Sequence, residues 1–369
     1  MTYEVLKSDI SAFMNQVAEG TTDTTRRDAL LEQALTWQYN HVKPYQKFVD
    51  AHRATSTRTS IEWPALPTDV FRYARIAAHA PEEDICTFVT SGTTLREQGK
   101  HFLKDLSLYD QSSFLTARYA MFPDCHKLPL YILAPSKLES PTSSLTYMLS
   151  RFMDWFAEEG SAYIWHNNRL DIPLLHDVLT ENCQHHQPVA LFGTSLAFAH
   201  ALESLSTQWE LPYGSRVMLT GGSKGSTRDV LSDTFRAKIS HTFGVPDNWI
   251  VNEYGMTELC SQLYDLNLRH AIRGESYASR SLWSPGWVRI TVIDPRNGQP
   301  CREGDAGIIR IDDLANLDTV CAIQTSDLGI QTPDGLLLLG RTQKATARGC
   351  SLEADARLSA QGPLHANVS

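Results

Sequence analysis

The sequence predicts an α/β fold with parallel strand pairing, and two observations carry that prediction. Between residues 130 and 250, short β-branched or aromatic runs alternate with stretches whose apolar positions recur at helical spacing. After about residue 280 the pattern changes to short strands and turns, which predicts a smaller antiparallel lobe. The chain has 369 residues, 42% of them hydrophobic, enough for one large core or two medium ones.

The elements follow in order. Residues 1 to about 50 predict two helices, one with Ile10, Phe13, Met14 and Val17 on its apolar face and one with Leu30, Leu31, Ala34 and Leu35. Trp63-Pro64-Ala65-Leu66-Pro67 is a proline-stiffened connector, after which Thr68 is placed to cap a short helix. Thr87-Phe88-Val89 is a strand that breaks into Thr90-Ser91-Gly92-Thr93-Thr94. Leu130-Tyr131-Ile132-Leu133 is the next strand, and Leu145, Met148, Leu149, Phe152 and Phe156 share one face of a helix that Gly160 ends. A strand over 162–165, a helix over 172–179, a strand over 189–192 and a helix over 195–205 continue the alternation. Val217-Met218-Leu219-Thr220 then enters the glycine turn Gly221-Gly222-Ser223-Lys224-Gly225-Ser226 ahead of a helix over 228–239. The late strands are 288–293 and 307–311, with a turn over 294–298 after the first of them.

Charge and cysteine usage bound the function. A formal net charge of -9 disfavours nucleic acid or an anionic membrane surface as the principal partner. No apolar run approaches the ~18 residues of a membrane span, and Met1-Thr2-Tyr3-Glu4 lacks the basic start of a secretory signal, so the chain reads as cytoplasmic. Its seven cysteines are scattered and never form Cys-x-x-Cys, which fits a reducing compartment. Cys183, His185 and His186 read as a solvated loop rather than a metal site, since adjacent histidines do not easily face one ion.

The chemistry concentrates in Tyr254-Gly255-Met256-Thr257-Glu258. Tyr254 offers a flat apolar partner to a base, Gly255 a backbone that a phosphate can approach, Thr257 a hydroxyl and Glu258 a carboxylate for Mg²⁺. Thr90, Ser91, Gly92, Thr93 and Thr94 form a polar loop of the kind that holds phosphates, with Lys100, His101 and Lys104 close behind it. The turn at Gly221, Gly222 and Ser223 is not a Walker A loop, because Lys224 precedes Gly225, and it brings backbone close to a base or an acyl group. Phe192, Gly193 and Phe198 are candidate walls for that group.

Tyr254-Gly255-Met256-Thr257-Glu258 resembles the Tyr-Gly-x-Thr-Glu signature of the adenylate-forming superfamily of acyl ligases. The Thr90-to-Thr94 loop, the Gly221-Gly222 turn, Asp327 in Thr325-Ser326-Asp327 and Arg341 in Gly340-Arg341 follow the superfamily's order. Leu95 and Ser326 stand where glycines are usual. The resemblance implies an adenylate-forming large domain of parallel-sheet subdomains with a small β lobe and a truncated C-terminal domain. It implies residues 1–80 as a helical segment packed on the large domain, 81–339 as that domain and 340–369 as hinge and tail. It also implies ATP and Mg²⁺ as cofactors, Asp327 and Arg341 at the ribose, and Met256 within the nucleotide site.

Arg348-Gly349-Cys350-Ser351 is similar to the C-terminal Arg-Gly-Cys-Ser of the acyl-protein synthetase (LuxE) family. Members of that family activate a fatty acid with ATP, load it onto a cysteine near the C-terminus and pass it to a reductase. Glu258, Thr257 and Cys350 are then the expected catalytic residues, and a carboxylic acid the substrate. Two alternatives stay open at this point: transfer of the acyl group directly to coenzyme A or a carrier protein, with Cys350 incidental, and a non-enzymatic nucleotide-binding module.

Overall fold

The computed structural model describes residues 2–55, 63–90, 98–221, 233–276 and 279–341. The N-terminal part holds three helices where the apolar pattern predicts two: α1 (Tyr3–Val17), α2 (Thr24–His41) and α3 (Lys43–Thr55). The break falls at Val42, which is extended. Pro44 has no N–H to give the preceding turn and disfavours helical geometry at Lys43, so one helix ends and the next restarts with proline in its first turn.

Next come β1 (Leu66–Pro67), a 3-10 turn at Thr68–Arg72, the strands β2 (Cys86–Val89) and β3 (Lys100–Leu103), and α4 (Ser107–Ala120). Thr68 is not the cap expected of it. The turn begins one residue early, with Pro67 in the cap position and no side-chain bond, so Thr68 is already inside. The alternating region runs β4 (Leu130–Leu133), α5 (Ser144–Phe156), β5 (Ala162–Tyr163), β6 (Trp165–His166), β7 (Arg169–Leu170), α6 (Ile172–Gln184), β8 (Ala190–Thr194), α7 (Ser195–Ser204), β9 (Arg216–Thr220), α8 (Asp233–Phe243) and β10 (Ile250–Tyr254). Helix α5 stops at Phe156, before Gly160, because Ala157 turns extended and bridges to Leu128. The strand expected over 162–165 divides at Ile164, and Cys183 lies on α6, which runs past 179 to Gln184. The last elements are β11 (Leu263–Asp265), α9 (Asn267–Arg273), β12 (Leu282–Trp283), β13 (Val288–Ile293), β14 (Ala306–Asp313), β15 (Ala322–Thr332) and β16 (Gly335–Arg341).

One sheet joins both halves in the order β13-β14-β15-β16-β12-β11-β10-β9-β8-β4-β5, with β1 alongside β15. From β5 to β10 every pairing is parallel. From β10 to β13 every pairing is antiparallel. Strands β4, β8 and β9 are buried along their whole length, as parallel strands covered on both faces must be. A single hydrophobic cluster runs from Leu6 and Ile10 on α1 through Ile132, Phe192 and Val251 to Ile309 and Ile323. Strand β10 is where the pairing changes hand, and the chain leaving its end carries the Tyr254-to-Glu258 stretch.

Candidate active site

The geometry starts with the register of β10. Glu253 pairs with Thr220 of β9 on one side and Tyr264 of β11 on the other, and the Thr220 hydroxyl donates to the Glu253 carboxylate. Gly255 follows, and a Cβ added there would lie 2.7 Å from Glu253 Oε1, so the bare backbone is needed to pass the carboxylate. Tyr254 donates its hydroxyl to Asp327 Oδ2 at 2.8 Å, with both side chains buried. Asp327 stands directly opposite Arg341 across β15 and β16. Three residues read separately from the sequence therefore share one corner of the sheet. Gly221 ends β9 beside them with φ of 80°, a left-handed conformation suited to glycine, and its carbonyl accepts from the Ser195 hydroxyl at 2.9 Å.

Met256, Thr257 and Glu258 are buried in turns rather than in a helix. Thr257 is 1% exposed, and its hydroxyl oxygen has no hydrogen-bond partner among the described residues. The Thr257 carbonyl accepts from His101 Nδ1 at 2.7 Å, while His101 Nε2 lies 3.0 Å from the Thr319 hydroxyl. A carbonyl only accepts, so Nδ1 carries the proton and Nε2 receives the hydroxyl's. Desolvation brings this ring's pKa down to about 4, against the carbonyl bond, which raises it; the ring is neutral at pH 7. His101 is therefore a strut of the turn and not the anion contact its position suggested. Lys104 is likewise engaged elsewhere, its ammonium 3.7 Å from the centre of the Tyr3 ring.

What holds the turn is a polar loop that the sequence reading passed over, residues 313–321 between β14 and β15. Asp313 accepts from the backbone N–H of Cys260 (3.2 Å) and of Ser261 (2.9 Å) and from the Ser261 hydroxyl (2.7 Å). Asn316 accepts from the Cys260 N–H at 2.7 Å and donates to the Glu258 carbonyl at 2.9 Å. Asp318 accepts from the Tyr3 hydroxyl at 2.6 Å and from the N–H of Lys104 and Asp105. Gln38 of α2 donates to the carbonyls of Asn316 and Leu317 and accepts from the Cys321 N–H. Asp-Leu-Ala-Asn-Leu-Asp-Thr looks like a surface loop, yet Asp313, Asn316, Asp318 and Thr319 are all buried. The only local sign was the absence of Gly, Pro, Lys and Arg from a loop so rich in polar residues.

The stem of the proposed phosphate loop is a β2–β3 hairpin in which Val89 faces Lys100. It closes where the Thr90 N–H meets the Gly99 carbonyl at 2.9 Å and the Gly99 N–H meets Thr90 Oγ1 at 2.7 Å. Through His101 this stem is bonded to the Thr257 turn. Ser91, Gly92, Thr93, Thr94, Gly222, Ser223 and Cys350 lie outside the described residues, and Arg341 is placed by its backbone alone. Phe192, Gly193 and Phe198 are buried together, Gly193 against Leu133 of β4 and against Phe198.

Burial raises the thiol pKa of every described cysteine, Cys86 and Cys125 to about 11 and Cys260 and Cys321 well above their ordinary value. For Cys86 the cause is desolvation rather than the acidic residues before it, and Lys137 acts in the opposite sense. Cys260, close to Glu258 in sequence, is fully enclosed and no thiolate.

The fold is that of the adenylate-forming acid–thiol ligases. An open conformation of 2-hydroxyisobutyryl-CoA ligase, in complex with 2-HIB-AMP and CoA, is similar with a TM-score of 0.63 at 12% identity, over 89% of this chain and 78% of that one. ATP-bound MatB from Rhodopseudomonas palustris is similar with a TM-score of 0.51 at 16% identity, over 72% of this chain and 49% of that one. These are likenesses of fold. By sequence, the chain belongs to the acyl-protein synthetase (LuxE) family, whose model matches residues 10–359. A long-chain-fatty-acid–luciferin-component ligase of Aliivibrio fischeri is 22% identical over 345 residues, covering 88% of this chain and 87% of that one. Membership makes the chain a ligase and sets aside the non-enzymatic reading.

Proposed function

We propose that the protein activates a fatty acid with ATP and stores it as a thioester. The carboxylate oxygen attacks the α-phosphorus of ATP and pyrophosphate leaves; a thiol then attacks the acyl carbonyl and AMP leaves. The observation that carries this reading is the Thr257 hydroxyl, enclosed beside Glu258 without a partner among the described residues, at the end of a strand tied through Tyr254 to Asp327. A buried donor left unmade is costly, and a phosphate oxygen would satisfy it.

The residues fit a nucleotide. Thr257 would face the α-phosphate, Tyr254 the adenine, Asp327 and Arg341 the ribose, and Thr90 to Thr94 the outer phosphates, with Gly221, Gly222 and Ser223 near base and acyl group. Glu258 would hold Mg²⁺, which neutralises phosphate charge. Among the described residues no three His, Cys, Asp or Glu side chains are grouped to hold a metal ion, so such an ion takes its remaining ligands from phosphate and water. We place the enzyme in the cytoplasm, with the domain limits 1–80, 81–339 and 340–369. Among the described residues no helix is long and apolar enough to cross a membrane.

Cys350 is the proposed acyl acceptor, supported by the family and by the raised thiol pKa of all six described cysteines. An acyl reductase or a carrier protein would receive the acyl group from it. Acid-dependent ATP–pyrophosphate exchange over a panel of carboxylic acids tests the first half; Glu258→Gln should lower it by about 100-fold or more in folded protein. For the second half, Cys350→Ala should keep exchange and lose a hydroxylamine-labile acyl label. A second reading, direct transfer to coenzyme A or a carrier-protein thiol, draws on the fold shared with a ligase solved with CoA. It wins if no form of the protein holds a label while added thiol becomes acylated.

A further inference from the structure

Residues 257–262 belong to no helix and no strand, so the backbone that aims Thr257 and Glu258 has no regular ladder to fix it. Side chains supply the fixing. His101 takes the Thr257 carbonyl and Asp313 the N–H groups of Cys260 and Ser261, but Asn316 alone both gives and receives. Its Nδ2 donates to the Glu258 carbonyl at 2.9 Å and its Oδ1 accepts from the Cys260 N–H at 2.7 Å, so one planar amide spans the two peptide groups on either side of Leu259. Asn316 is fully buried and is itself seated by α2, where Gln38 Nε2 donates to its carbonyl at 3.0 Å.

We infer that Asn316 is a positioning residue for the adenylation proposed above, holding the Glu258 peptide and hence the direction of its carboxylate, and that Gln38 positions it in turn. A peptide group free to rotate at Glu258 swings the Cα–Cβ bond with it. A misplacement of about 1 Å at a reacting centre costs about 100-fold in rate. The N-terminal helices thereby reach the metal-binding carboxylate through two side-chain amides.

Asn316→Asp is the test, because it keeps the side chain's size and its acceptor for Cys260 but sets a carboxylate oxygen against the Glu258 carbonyl. In the full chain, ATP–pyrophosphate exchange is measured against ATP, fatty acid and Mg²⁺, with the melting temperature recorded alongside. Turnover should fall about 10- to 100-fold and half-saturating Mg²⁺ rise several-fold, with half-saturating acid unchanged within about two-fold. A residue that merely supports the fold would lower the melting temperature and the active fraction and leave half-saturating Mg²⁺ where it was; that result, or unchanged turnover, overturns the inference. Should the variant fail to fold, Gln38→Glu keeps the acceptor for Cys321 and loses both donors. It should give the same Mg²⁺ shift with a fall of about 3- to 10-fold, and an unshifted Mg²⁺ dependence counts against the inference. Wild-type protein that exchanges with no acid defeats the proposed function itself; wild-type exchange beside an unchanged variant defeats only this inference.

Discussion

A hydroxyl buried without a partner costs a fold about 1–3 kcal/mol, and Thr257 Oγ1 is such a group among the described residues. Thr257→Val keeps the shape and removes the cost. The variant should gain about 1 kcal/mol in urea unfolding while exchange falls about 10- to 100-fold; a loss of both would mean that the hydroxyl serves the fold. His101 and Asp313, which flank the same turn, set opposing pH dependences. Burial lowers the His101 pKa from 6.5 to about 4, so between those values the unfolded chain binds more protons and stability rises with pH. That contribution, roughly 3 kcal/mol, is present above pH 6.5 and lost below 4. Burial raises Asp313 from 3.8 to about 6, so there the folded state binds more protons and stability falls as pH rises, by roughly the same amount. The two slopes nearly cancel between pH 4 and 6, and removing one exposes the other. Relative to wild type, Asp313→Asn should gain stability with rising pH across this window and His101→Gln should lose it. Urea midpoints from pH 4.5 to 7 that run parallel in all three proteins would sink the pairing.

At the scale of elements, the tightest contact near the proposed acyl pocket is between β4 and β8. A Cβ on Gly193 would lie 2.8 Å from Leu133 Cβ and 3.0 Å from its carbonyl oxygen, inside the parallel register that pairs the two residues. Gly193→Ala should therefore cost about 1–3 kcal/mol by forcing the strands apart, seen as an earlier urea midpoint; an unchanged midpoint would show that the strands yield freely. These strands were legible in the sequence because a buried parallel strand is an unbroken apolar run and its crossover helix has its own period. Tyr254 to Glu258 was legible for a different reason: base, phosphate and metal chemistry sit in five consecutive residues. The break at Val42 was missed because the apolar spacing carries on past Pro44 while the backbone cannot. The 313–321 loop was missed because its polar side chains are satisfied by Tyr3, Gln38, His101 and the 258–261 turn. Nothing within a window of neighbouring residues records partners so far away.

At the scale of the molecule, the N-terminal helices are part of the same core. Leu6, Ile10, Phe13, Met14 and Val17 are all buried on α1, and at about 1.5–3 kcal/mol each they contribute roughly as much as a whole domain's net stability. A chain begun at residue 63 should give little soluble protein and no cooperative unfolding transition; a sharp transition in that fragment would mean that the helices are dispensable. The loop over 313–321 also sets an order of events during synthesis. It bonds to Tyr3 and Gln38 across separations of 315 and 278 residues. At about 5–20 residues per second, Gln38 leaves the ribosome roughly 15 to 60 seconds before Asn316 does. Until then α2 has a buried amide with nothing to bond, and the turn bearing Thr257 and Glu258 has been made but not clamped. A nascent chain thus carries the Tyr254-to-Glu258 residues before it has the geometry to use them, and on the ribosome adenylation competence is gained at the end of folding, when the two ends of the chain meet.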